Sequence, residues 1–130
     1  MRRSIAFHES LGFARKLRAA GEEVAFFDAG EAMLALYPWD KLAHDATVPA
    51  QPRPAVFRGS TLAWNCRNEQ EVDAVLAFAH AQGATSLKAA HRTDYGGYSG
   101  YFADPDGHPW EVVVAPGIEA GADNLVHLAD

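Results

Sequence analysis

Glu111 is the residue whose setting most clearly suggests chemistry, because its charged side chain interrupts the apolar stretch PWEVVV. A carboxylate in such a strand is costly unless it is paired, solvated or bound to a cation. Glu111 could therefore act as a general base in catalysis, as a weak metal ligand or as a hydrogen-bond acceptor for a bound molecule. The alternative is a structural carboxylate that Tyr98, Tyr101 or Asn65 satisfies; both tyrosines are also candidates for contacting a ligand.

Other side chains could contact a ligand beside Glu111. His91 precedes a loop rich in Gly and Tyr and could reach the mouth of a pocket, or be an ordinary surface histidine. Tyr37 and Trp39 flank Pro38 and could close over an aromatic or apolar ligand, or belong to the core or its rim. We expect no metal cluster from three further histidines, which share no regular spacing: His8, His44 and His80.

A β-hairpin over residues 96–115 must position the candidate carboxylate. Pro105 presets φ for the second position of a type I turn, and Asp104 and Asp106 suit the positions on either side of it. Gly107 can then adopt the left-handed conformation. The sequence predicts an aromatic strand, a tight turn and an apolar strand.

The remaining elements follow a repeated order. Asn68 is a good N-cap for a helix that Gly83 ends, and Glu71 stands at the capping-box position. Prolines at positions 49, 52 and 54 exclude a helix or a central strand, so residues 38–58 are predicted to be a connector. We expect helices at residues 2–12 and 68–83, and strands at residues 13–18, 23–28, 32–37, 61–67 and 85–91.

The composition limits the classes of function. The 130 residues are 48% hydrophobic and 22% charged, which is typical of one soluble globular domain. A formal net charge of -6 argues against a nucleic-acid partner. The sequence shows no membrane span and no signal peptide, so we expect a cytoplasmic protein. Cys66, the only cysteine, is expected to be a buried small hydrophobe.

The element order, with the segments SIAFHESLGF and YFADPDGHPWEV, resembles the vicinal oxygen chelate superfamily. This superfamily includes glyoxalase-like, bleomycin-resistance-like and extradiol-dioxygenase-like proteins. The resemblance covers nearly all of residues 2–115. It implies an α+β fold in which two βαβββ modules curve a mixed sheet around a central pocket, with the helices outside. Residues 1–130 would form one domain, with module one at about 1–40, a linker at about 41–58 and module two at about 59–116.

The resemblance also implies four metal-ligand positions, of which only the one at Glu111 is kept. The position on the first strand of module two falls near Thr61. The last strand of module one, AMLALY, offers only apolar side chains where a glutamate would be needed. Apolar side chains cannot coordinate a divalent cation. We therefore expect a degenerate metal site and no cofactor, unless the C-terminal segment or a partner chain supplies ligands.

Strand alternation, taken with the resemblance, assigns the pocket face. Thr61 and Asn65 would point inward from the first strand of module two. Leu34 and Leu36 would line the other wall.

The resemblance implies a further strand before residue 2, which the sequence does not supply. Residues 125–128 are compatible with a strand, and the preceding GIEAGAD is expected to be a flexible connector. We expect residues 123–130 to fill the vacant position, as in a circular permutation, or a partner chain to do so by strand exchange. The alternative is a disordered tail. If residues 123–130 do fill the vacant position, His127 would border the pocket, although the ligand position itself falls nearer Asp123.

Three functions follow as hypotheses. The first is a small-molecule-binding protein with a degenerate metal site. The second is a metal-dependent lyase, isomerase or dioxygenase of the glyoxalase type, and the third is a metal-free enzyme that uses Glu111 as its base. A homodimer is expected in each case.

Overall fold

The structure, a computed structural model, describes residues 1–30, 32–49, 57–123 and 125–129. It divides into two compact units, Met1–Gly59 and Ser60–Asp130. Within the described part of the chain, no helix is long and apolar enough to cross a membrane. The fold is mixed α+β, as the sequence predicted.

The first unit begins with helix α1, Arg2–Ser10, followed by an antiparallel three-stranded sheet. Its strands, in the order β1-β2-β3, are Ala14–Lys16, Ala25–Ala29 and Ala32–Leu36. The predicted helix and meander are therefore confirmed. Ile5 of α1 packs on Ala25 and Phe27 of β2, and this cluster forms the core of the unit.

A short helix follows β3, and the prediction that residues 38–58 lack a helix was wrong. Helix α2 spans Trp39–Asp45. Pro38 stands at its N-cap with φ of -57°, and Asp40 lies in the first turn, where a negative charge favours a helix. Pro49 lies beyond the helix end and does not interrupt it. The other two prolines of the prediction, at 52 and 54, lie outside the described residues.

The second unit contains a four-stranded sheet covered by one helix. Strand β4 is Leu62–Asn65, helix α3 is Glu69–Ala81, and strand β5 is Thr85–Arg92. The hairpin supplies β6, Tyr98–Ala103, and β7, Pro109–Val114. The strand order is β4-β7-β6-β5, in which β4 and β7 are parallel and the other pairs are antiparallel.

The turn between β6 and β7 has the predicted chemistry. The Gly107 backbone N–H donates to the Asp104 carbonyl oxygen at 2.9 Å, and Gly107 adopts a φ of 81°. The Asp104 carboxylate accepts from the backbone N–H groups of Asp106 and His108, each at 2.9 Å. These bonds fix the register of the hairpin.

Helix α3 is capped by Asn68, as predicted. The Asn68 Oδ1 atom accepts from the Glu71 backbone N–H at 2.8 Å. The Glu71 carboxylate differs from the expected capping box, because it accepts from the backbone N–H of Arg67 at 2.6 Å. Val72 and Ala79 on the inner side of the helix are fully buried.

The C-terminal segment forms a hairpin within the second unit. Strand β8, Ile118–Ala120, pairs antiparallel with strand β9, Val126–Leu128. The prediction that the GIEAGAD segment is a flexible connector was therefore wrong over β8, where apolar residues alternate with Glu119 and match the alternation of β9. The strand expected to complete the first module instead pairs with β8, so the permutation is not confirmed. Strand exchange with a partner chain stays a prediction.

The Asn68 cap can be tested by mutation. Asn68→Ala removes the acceptor for one N–H of the first turn, so it should lower the free energy of unfolding by about 1 kcal/mol. Gln70→Ala, an exposed substitution in the same turn, is the matched control and should change stability by less than about 0.5 kcal/mol. Urea unfolding followed by circular dichroism measures both values. Equal losses in the two variants would contradict a capping role for the Asn68 side chain.

Candidate functional site

Alternation along β7 separates the two faces of the second unit's sheet. Trp110 and Val112 are buried, and the Trp110 ring stacks on Phe102 with centroids 5.9 Å apart. Gly100, the register partner of Val112, faces α3, because a Cβ atom there would lie 2.6 Å from the Leu76 side chain. The α3-covered face is thus the face of Val112, and Glu111 points from the opposite face.

Glu111 lies in a row of cross-strand neighbours on that opposite face. Its register partners are Ala63 on β4 and Tyr101 on β6, and Tyr101 is paired in turn with Lys88 on β5. The Tyr101 hydroxyl donates to Glu111 Oε1 at 2.8 Å. The sequence offers three candidate partners for this carboxylate, and Tyr101 is the one that bonds to it in the structure.

Tyr101 stays a protonated phenol to an unusually high pH. Partial burial, followed by the hydrogen bond and the negative charge of Glu111, raises the pKa of Tyr101 to about 12. Both side chains are half-buried. The pair therefore presents an oriented carboxylate whose second oxygen can accept further hydrogen bonds.

The next row of the same face contains His91 and Asn65. In order across the sheet it reads Asn65, Val113, Ser99 and His91. The His91 Nδ1 atom lies 2.9 Å from the Ser99 carbonyl oxygen. Since a carbonyl only accepts hydrogen bonds, Nδ1 carries the proton in the neutral ring and Nε2 is left as an acceptor.

Tyr98 does not share this face with Tyr101. The two residues are three positions apart on β6, so alternation places their side chains on opposite sides of the sheet. The Tyr98 hydroxyl donates to Asp73 Oδ1 on α3 at 3.0 Å. This bond raises the pKa of Tyr98. The expectation that Tyr98 belongs with the Glu111 group therefore does not fit the structure.

Thr61 lies at the edge of the site rather than beside the carboxylate. Its hydroxyl donates to the Pro109 carbonyl oxygen at 2.8 Å, which ties the residue before β4 to the start of β7. The direct neighbour of Glu111 on β4 is Ala63, two residues further on.

The residues around Glu111 do not fit a divalent metal ion. Ala63 offers a methyl group, and Tyr101 is a neutral phenol that already donates to the carboxylate. Across the described ranges, no group of three or more His, Cys, Asp or Glu side chains could hold a metal ion. A single carboxylate with one occupied oxygen is a poor ligand set for a divalent cation.

Leu34 and Leu36 face the core of the first unit, so the prediction that they line a pocket was wrong. They are the register partners of Phe27 and Ala25 and pack on the cluster around Ile5. Alternation then places Met33 and Ala35 on the opposite face of β3, and the Met33 side chain is 63% exposed. The error arose because every residue of AMLAL is apolar. No polar residue therefore marks which set of alternating positions faces outward.

Three predicted site residues have partners elsewhere. Tyr37 hydrogen-bonds to the Asp45 carboxylate at the end of α2, which raises the pKa of its phenol. The Arg58 guanidinium carbon lies 5.7 Å from the centroid of the Trp39 ring, within the same unit. In the β8–β9 hairpin, His127 Nε2 lies 3.1 Å from the Asp123 carboxylate, and both side chains are exposed.

Two residues of the Glu111 face were missed in the sequence. Lys88 and Ser99 occupy it beside Tyr101 and Val113. Ser99 could have been found by alternation from Tyr101. Lys88 could not, because the β5–β6 pairing shifts register on both sides of it.

Cys66 is buried, as predicted, and burial raises the pKa of its thiol to about 11, so it is no nucleophile.

The coupling between Tyr101 and Glu111 predicts a specific titration. In Glu111→Gln the pKa of Tyr101 should fall below 12 and remain above 10.0, since burial, the largest cause of the shift, persists. Because the folded-state pKa is raised, the bond stabilises the fold fully below pH 10 and is lost as the pH rises towards 12. Carbon NMR of labelled tyrosine measures the change, with Tyr98 as the internal control. An unchanged Tyr101 pKa would contradict the coupling.

Comparison with known proteins identifies the family to which this chain belongs. A family model described as Glyoxalase/Bleomycin resistance protein/Dioxygenase superfamily matches residues 1–112. No curated protein matches the chain.

Solved structures of the same family have the same fold. A glyoxalase-related enzyme from Fulvimarina pelagi is 34% identical, with a TM-score of 0.85, covering 100% of this chain and 91% of that chain. A lactoylglutathione lyase from Agrobacterium tumefaciens is 28% identical, with a TM-score of 0.65, and the alignment covers 87% and 84% of the two chains. A glyoxalase/bleomycin resistance protein/dioxygenase from Nocardioides has the same fold at 23% identity, with a TM-score of 0.74 over 92% and 80% of the two chains. The resemblance read from the residues is thereby confirmed, and the chain belongs to the Glyoxalase/Bleomycin resistance protein/Dioxygenase superfamily.

Proposed function

We propose that this protein binds a small, partly apolar molecule on the Glu111 face of the second unit's sheet, without a metal ion. The observation that carries the proposal is the 2.8 Å hydrogen bond from the Tyr101 hydroxyl to Glu111. It orients a carboxylate on a sheet face whose neighbouring positions, Ala63 and Val113, are apolar.

The polar groups of this face indicate the chemistry of the molecule. Glu111 and the Nε2 atom of His91 both accept hydrogen bonds, so a ligand with O–H or N–H groups would satisfy them. Val113 lies in the second row, between Asn65 and Ser99, and adds an apolar side chain to this face. Binding sites that combine a few placed polar groups with an apolar lining are typical of small-molecule pockets.

A metal-free enzyme that uses Glu111 as its base is the second candidate. A carboxylate held by a neighbouring phenol is positioned to accept a proton from a bound substrate, and the phenol can return a hydrogen bond to the resulting acid. The Fulvimarina pelagi relative, at 34% identity, is described as a glyoxalase-related enzyme, which favours keeping this alternative. The homodimer and the cytoplasmic location stay predictions from the sequence.

The absence of a fitting ligand set predicts the response to metals. Adding zinc, nickel or manganese should shift the melting temperature by less than about 1 °C, because a ligand stabilises a protein only when it binds the folded state. A metal ion present at one hundred times the dissociation constant of its site would instead raise the free energy of unfolding by about 2.7 kcal/mol. Differential scanning fluorimetry, with metal analysis of the purified protein, measures both effects. A stoichiometric divalent ion that Glu111→Ala removes would contradict the proposal.

The role of Glu111 in binding can be tested with a fragment library screened by amide NMR. Fragments that perturb Ala63, Ser99 and Val113 should bind Glu111→Gln about tenfold more weakly, because the charged acceptor is lost. Glu119→Gln, an exposed change on β8, is the matched control. Equal affinity for the wild type and Glu111→Gln would contradict an anchoring role. If a fragment is turned over and Glu111→Gln abolishes turnover while binding persists, the enzyme candidate is correct.

A further inference from the structure

The β5 edge of the Glu111 face carries a basic side chain, Lys88. Lys88 pairs in register with Tyr101, and Tyr101 pairs with Glu111. Because residues that are paired in register point to the same side of a sheet, the Lys88 side chain lies on the Glu111 face. The row across the sheet therefore contains Ala63, Glu111, Tyr101 and Lys88.

An irregularity in β5 turns Lys88 to this face. Ser86 pairs with Phe102 on the face that α3 covers, and regular alternation would place Lys88 on that face as well. From Ser86 to Lys88, however, the pairing advances two residues along β5 and only one residue along β6. The extra residue on β5 reverses the side to which Lys88 points, which is how a β-bulge re-aims a side chain.

Lys88 supplies a positive charge to this edge of the face. It forms no ion pair with another described residue. His91, the next residue of β5 on the same face, presents the acceptor Nε2 when its ring is neutral, because Nδ1 donates to Ser99. An anion at the β5 edge would therefore be held by Lys88.

The acceptor and the cation are separated by one strand. β6 lies between β7 and β5, and neighbouring strands are about 4.8 Å apart, so the backbones of Glu111 and Lys88 are about 10 Å apart. The flexible side chain of Lys88 can shorten this separation. One oxygen of Glu111 is bonded to Tyr101, and the other can accept from a ligand. A molecule with a short carbon chain can therefore reach both groups.

We propose that the molecule bound on the Glu111 face is a short hydroxy acid with its two polar groups at opposite ends. Its hydroxyl group donates to Glu111, and its carboxylate pairs with Lys88. The inference rests on the function proposed above and adds the chemical class of the molecule. The charges fix the orientation, since a carboxylate beside Glu111 would be repelled.

A hydroxyl group suits the Glu111 end better than an ammonium group does. The neighbouring positions Ala63 and Val113 are apolar, and Val113 is 5% exposed. Bringing a strongly hydrated ammonium group to such a position costs more free energy than bringing a neutral hydroxyl group.

6-Hydroxyhexanoate is the probe, and hexanoate and 1-hexanol are analogues that each lack one of its polar groups. In amide NMR spectra of nitrogen-labelled protein, the probe should cause saturable shifts at Ala63, Lys88 and Val113. Hexanoate should bind about tenfold more weakly, because it lacks the hydrogen bond to a charged acceptor. 1-Hexanol should bind about threefold more weakly, which is the effect of losing one partly exposed ion pair.

Two variants assign the ends of the molecule. Lys88→Gln should weaken 6-hydroxyhexanoate and hexanoate about threefold and leave 1-hexanol unchanged. Glu111→Gln should weaken 6-hydroxyhexanoate and 1-hexanol about tenfold and leave hexanoate no weaker, since a repulsive charge is removed.

Arg92→Gln is the matched control for charge. Arg92 lies on the same strand as Lys88, pairs in register with Tyr98 and forms an ion pair with Glu69 of α3. The variant therefore removes a positive charge from the opposite face of β5. It should leave all three affinities unchanged.

The outcomes separate this inference from the function on which it rests. If Glu111→Gln weakens 1-hexanol while Lys88→Gln changes no affinity, the hydroxy-acid class is wrong and the Glu111 site stands. Lys88 then serves only to protect the β5 edge from pairing with other chains, as lysines on edge strands do. If Glu111→Gln changes no affinity, the proposed function fails as well.

Two further results would overturn the inference. The first is tighter binding of 6-aminohexanoate than of 6-hydroxyhexanoate, which would make the preferred molecule a zwitterion. The second is the absence of saturable shifts with 6-hydroxyhexanoate in a protein whose spectrum is that of the folded chain. In that case the fragment screen tests the proposed function by itself.

Discussion

The second unit depends on strand β7, whose backbone is hydrogen-bonded along both edges, parallel to β4 and antiparallel to β6. Val112 has no exposed surface, and Trp110 is 5% exposed, so both are held against α3. A register shift of one residue would expose them and bury Glu111. Because burying an unpaired carboxylate is also costly, the apolar face and the charged face specify the same register.

This constraint also fixes the surroundings of the Glu111 carboxylate. Once β7 is fixed, the nearest groups to Glu111 are those of its register neighbours, a methyl group on Ala63 and the phenol of Tyr101. The phenol satisfies one carboxylate oxygen and holds the side chain in place. The fold therefore presents an oriented hydrogen-bond acceptor on this face of the sheet.

Elements with strong local chemistry were predictable from the sequence. The Asp104–Gly107 turn and the Asn68 cap depend on side chains that bond to the adjacent backbone, so neighbouring residues suffice to read them. The faces of β3 were not predictable, since Met33 and Leu34 are equally apolar. Lys88 was not predictable either, because two register irregularities in β5 break the alternation that assigns a face.

The central claim is that Tyr101, rather than a metal ion, satisfies Glu111. Paramagnetic broadening by Mn²⁺ tests it most directly, because a bound manganese ion broadens the NMR signals of the residues around it. With one equivalent of Mn²⁺ added, the amide signals of Ala63, Tyr101 and Glu111 should keep the line widths that they have in the metal-free protein. The signals of the β8–β9 hairpin are the reference. Selective loss of these three signals, restored in Glu111→Gln, would show that the carboxylate binds a cation and would contradict the account.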